Sequence, residues 1–130
     1  MSLELLLPVN KEAILGLSML PKQVIGKNID IHTEESGLPE LKGLQIVIIG
    51  LVEQRNSFFT NVQYDVNQFR REFYELYPGN WKLKIADLGD LSNGEKVKDT
   101  YFAIKEIGFH LKQMNIIPVF IGGSHDLIFP

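Results

Sequence analysis

Hydrophobic and polar positions alternate between two periods along this chain, and the pattern predicts strands separated by helices. Residues 44–51 (LQIVIIGL) form a nearly unbroken β-branched and aliphatic run containing a late glycine, the pattern of a strand buried on both faces of a parallel sheet. Residues 115–123 (NIIPVFIGG) repeat it. Between them, WKLKIADLGD alternates Trp81, Leu83 and Ile85 on one side, as a strand would. Two stretches instead keep a spacing of three or four. In residues 64–77 the apolar positions are Val66, Phe69, Phe73 and Leu76, with Asp65 as the N-cap and Pro78, Gly79 and Asn80 as the stop. In residues 93–114 they are Val97, Tyr101, Ile104, Ile107, Leu111 and Met114. The first 43 residues carry a weaker signal. A short helical pattern spans 10–19, Pro21 breaks it, and 27–43 has the composition of a loop.

Strands alternating with helices predict βαβ units, and hence a three-layer α/β/α fold with a parallel sheet in one domain over residues 1–130. The sheet is expected to be incomplete. A third strand ending at 123 leaves only seven residues, too few for the helix of a further βα unit, so the chain has the form of the N-terminal portion of a larger α/β domain. An uncovered sheet edge favours self-association, and a homo-oligomer is expected. Ligands of such sheets bind at the carboxyl ends of the strands, which nominates the loops 50–56, 87–93 and 122–130.

Composition narrows the function classes. With 45% hydrophobic and 22% charged residues the chain has the make-up of a soluble globular protein, and its net charge of −3 offers no general excess of cations for phosphates or anionic lipid. Neither nucleic acid nor membrane is expected as a partner, although a local basic patch can be hidden in such a total. The absence of cysteine excludes disulfides and thiolate chemistry. No apolar run approaches the roughly 20 residues of a membrane span, and the start, MSLELLLPVNKE, lacks the basic region of a secretory signal. A cytoplasmic location follows as the expectation.

The chemistry concentrates at the strand ends. In IGGSHDLIFP two glycines allow positive φ and close backbone approach, and His125 follows them. A glycine turn with a solvent-facing histidine has the same local sequence. Ser124, His125 and Asp126 do not form a hydrolase triad, because adjacent side chains on an extended segment point to opposite sides. Imidazole and carboxylate suit divalent zinc or manganese better, but one histidine and one aspartate are too few ligands. Arg55 and Asn56, in the first strand-end loop, offer a guanidinium and an amide for a substrate carboxylate, or are an ordinary exposed pair. Asp87 and Asp90 could face one crevice, with a loop cap or N-cap as the blander role. His32 has Glu34 and Glu35 nearby in a polar stretch that does not favour a metal, and His110 borders the apolar side of its helix.

In order and spacing, these segments resemble a family. GGSHD after IIPVFI resembles the glycine-glycine-aspartate-histidine-serine motif of the ureohydrolases (arginase, agmatinase and formimidoylglutamase); ADLGDL resembles their Asp-Leu-Gly-Asp segment; and IIGLVEQRN resembles the strand and loop that open the active-site rim. The resemblance covers roughly residues 44–130. It implies an arginase-like fold, a centre of two manganese ions, and hydrolysis of a C–N bond in a small guanidino or formimino substrate. His125 aligns with the family's first metal-binding histidine, while Ser124 and Asp126 stand where the family has aspartate and serine. The other five of six family ligands would fall beyond residue 130, so these 130 residues are expected to be inactive alone. A non-catalytic arginase-like protein that binds a ligand or partner without the metal centre is the alternative. A nucleotide-binding module lacks support, since no G-x-G-x-x-G or P-loop follows any strand.

Overall fold

The computed structural model describes residues 2–51, 66–80, 82–92 and 97–122. Numbered along the chain, its elements are β1 (Leu6–Leu7), α1 (Lys11–Ile14), β2 (Asp30–Ile31), β3 (Ile46–Leu51), α2 (Val66–Tyr74), β4 (Ile85–Leu91), α3 (Val97–Gln113) and β5 (Ile117–Gly122). β4, β3 and β5 lie side by side in that order, all parallel. The two short strands share the other edge of β4: β2 runs parallel beside Ala86 and Asp87, while β1 runs antiparallel beside Asp90 and Leu91. The fold is therefore mixed α/β, and the purely parallel three-stranded sheet expected from the sequence is corrected to a mixed sheet of five strands.

Pleating assigns the faces. Val47, Ile49 and Leu51 of β3 join Ala86, Leu88 and Leu91 of β4 in one apolar cluster with Ala103, Ile104, Ile107 and Leu111 of α3. Burial of each large aliphatic side chain there contributes roughly 1.5–3 kcal/mol. Ile48, Gly50, Asp87 and Asp90 fall on the opposite face, where Arg70 of α2 meets both aspartates. β5 follows the register of β3, which places Phe120 with the α3 cluster and Ile117 and Val119 on the α2 face. β5 departs from the fully buried strand expected from its run of apolar residues: Ile117 and Val119 are exposed, because α2 sits over β3 and β4.

The boundaries follow local chemistry. Asn10 caps α1, its side chain accepting from the Glu12 amide at 2.7 Å. The expected helix over 10–19 stops early, passing into a 3₁₀ turn at Leu17–Met19, and Leu20 before Pro21 is extended, as the proline ring requires of its predecessor. β4 starts at Ile85, not at Trp81. Pairing with β3 begins there, and Lys82, Leu83 and Lys84 are exposed; Trp81 lies outside the described residues. α3 ends in a Schellman turn. Asn115 takes φ 60°, its amide donates to Lys112 O at 3.0 Å, and the Ile116 amide donates to Leu111 O at 2.9 Å. Ile116 and Leu111 then share the core, which turns the chain directly into β5.

Candidate functional site

The most densely built polar site lies where β3 and β4 meet α2. Between the register pairs Ile48↔Asp87 and Gly50↔Asp90, β3 advances two residues and β4 three. A β-bulge of this kind re-aims side chains. In a regular strand Asp87 and Asp90 would point to opposite faces; with the extra residue both point to the α2 face. Gly89 makes the bulge possible. Its φ is +91°, and a Cβ there would meet the carbonyl of Leu7 on β1 and lie 3.4 Å from His32 Nδ1.

Arg70 is fully buried between the two aspartates. Its Nε donates to Asp87 Oδ2 at 2.8 Å and its Nη2 to Asp87 Oδ1 at 3.0 Å, a planar two-bond match, while Nη1 donates to Asp90 Oδ1 at 2.7 Å. Tyr74, one helical turn on, donates its hydroxyl to Asp87 Oδ2 at 2.5 Å, and the Gly89 amide donates to Asp87 Oδ1 at 3.0 Å. Asp87 thus accepts two hydrogen bonds on each oxygen, the full capacity of a carboxylate. Gly50 provides the space on β3: a Cβ there would run into Asp90 Oδ1 and lie 2.8 Å from Val66 Cγ1 and 3.2 Å from Arg70 Nη2.

The electrostatics fix the protonation states. Burial disfavours the Arg70 cation, but hydrogen bonding and charge attraction from Asp87, then Asp90, more than offset it, so its pKa rises and it stays charged. Burial pushes the Tyr74 hydroxyl well above its ordinary value, and the Asp87 carboxylate pushes it the same way. Tyr74 is thereby kept as a donor. The raised value means that this stability is fully present below the ordinary tyrosine pKa of about 10 and is lost as pH rises beyond it. One of the four tyrosines is accordingly expected to resist ionisation until the chain unfolds in alkali, and Tyr74→Phe should remove that component of the tyrosinate absorbance titration while costing about 1.5–3 kcal/mol in urea unfolding.

His32 closes the site from the β2 side. It is 7% exposed; its amide donates to Asp87 O at 2.9 Å and its carbonyl accepts from the Val9 amide at 2.8 Å. The ring Nδ1 stands 2.9 Å from Leu88 O, a group that only accepts, so Nδ1 carries the proton. Glu34, its acidic neighbour in sequence, instead pairs with Lys11 at the surface at 3.2 Å.

Of the sequence-derived candidates, His125, Arg55 and Asn56 lie outside the described residues, as do the helix cap Asp65 and the pair Ser124 and Asp126. Asp87 and Asp90 are brought together, but as strand residues clamped by Arg70; the cap role expected for them is corrected. His32 is likewise corrected, from a polar loop to a buried bridge between β2 and β4. The helix face is also shifted: the buried positions of α2 are Val66, Arg70 and Tyr74, spaced by four, whereas Phe69 and Phe73 stack beside them at 5.5 Å and Leu76 is exposed. Arg70 and Tyr74 are the residues sequence reasoning missed. Their signal was an arginine at the centre of a helical stripe preceding two aspartates three apart.

These residues do not fit a manganese site. Every lone pair of Asp87 is engaged, a cation at Asp90 would compete with the Arg70 guanidinium, and among the described residues no group of three or more histidine, cysteine, aspartate or glutamate side chains is placed to hold a metal ion. No helix among them is long and apolar enough to cross a membrane. Comparison of the chain with family models, with curated proteins and with solved structures returns no match.

Proposed function

We propose that the chain is the N-terminal part of a metal-dependent hydrolase of the ureohydrolase kind, acting on C–N bonds of guanidinium or amidine-type groups, with His125 as its one contribution to a manganese centre and Arg55 and Asn56 on the substrate side. The observation that carries this reading is the register of β3 with β5. Leu51 and Gly122 are partners at the carboxyl ends of adjacent parallel strands, the edge where α/β sheets place their ligands, and in the sequence Arg55 and Asn56 follow Leu51, and His125 follows Gly122, within five residues. ADLGDL occupies the next strand, β4, and its Asp87 and Asp90 are committed to holding Arg70. In this reading the clamp is scaffold, and no catalytic step passes through it.

The test has two arms. In a protein carrying the complete ligand set, His125→Ala should lower manganese content, read by elemental analysis, and reduce turnover of a guanidino or formimino substrate by a hundredfold or more. Full manganese content and unchanged turnover would remove His125 from the site. For the 130-residue chain itself, calorimetric titration with manganese should show no tight binding, and micromolar affinity would contradict the reading. The exchange of aspartate and serine around His125, with Ser124 and Asp126 in place of the family order, favours one second reading: an arginase-like protein that binds its ligand without a metal. Ligand binding that survives both chelation and His125→Ala would select it.

A further inference from the structure

We draw no further inference here: the strongest candidate, the outward face of α3 on which Phe102 and Phe109 lie exposed between Lys98, Lys105 and Lys112, carries no proposal, because nothing in the structure shows what covers it.

Discussion

Replacing Arg70 by alanine is expected to destabilise the chain by about 3–5 kcal/mol, because it leaves the Asp87 carboxylate charged and buried without its main counter-ion. Asp87 has no exposed surface, and the Tyr74 hydroxyl and Gly89 amide are dipoles that cannot replace a guanidinium bound through two parallel hydrogen bonds. Domains of this size are stable by only about 5–15 kcal/mol, so the substitution removes a large share of the total. Urea unfolding followed by circular dichroism gives the value. Arg70→Lys should recover little of the loss, since an ammonium cannot bridge Asp87 twice and Asp90 once.

Gly89→Ala is the second large effect, and it acts through the backbone. At φ +91° any L side chain is strained, and here the added Cβ would meet the Leu7 carbonyl, part of the β1 backbone paired to β4. Because the neighbour is main chain, relief requires β1 to move away or the bulge to flatten. A flattened bulge would turn Asp90 away from Arg70. The expected cost is about 3 kcal/mol or more, with amide exchange at Ser92 rising as well, because that amide and its side-chain hydroxyl both donate to Leu5 O beside β1. A loss under about 0.5 kcal/mol would show that neither the torsion nor the contact is needed.

How much of this was legible from the sequence depends on which interactions set each element. β3 and the long helix α3 were legible because continuous apolar runs and a sustained three-four spacing are carried by the residues of the element itself. β1 and β2 were not. Two residues give no period, and Leu6–Leu7 and Asp30–Ile31 become strands only because β4 offers them an edge. The face of α2 was misjudged for a related reason. Counting apolar positions selects Val66, Phe69, Phe73 and Leu76, and of these Val66 is buried, but the inward positions that continue from it are Arg70 and Tyr74, the burial of Arg70 being stabilised by aspartates 17 and 20 residues away. The convergence of those aspartates was hidden as well: a strand read at period two separates Asp87 from Asp90, and the one-residue bulge that reunites them includes Gly89 at φ +91°. His125, Arg55 and Asn56 were read from local motifs and lie outside the described residues.

The organising interaction of the described structure is the ion-paired clamp that ties α2 to the carboxyl half of β4 next to β3. It is measured most directly by a double-mutant cycle on Arg70→Met and Asp87→Leu in urea unfolding. If the two groups hold the strand and helix together as a pair, each single change leaves an uncompensated buried charge, and the double variant is less destabilised than the sum of the singles by about 2 kcal/mol or more. Additivity within about 0.5 kcal/mol would mean that Arg70 and Asp87 act independently, and the clamp would not be what joins α2 to the sheet.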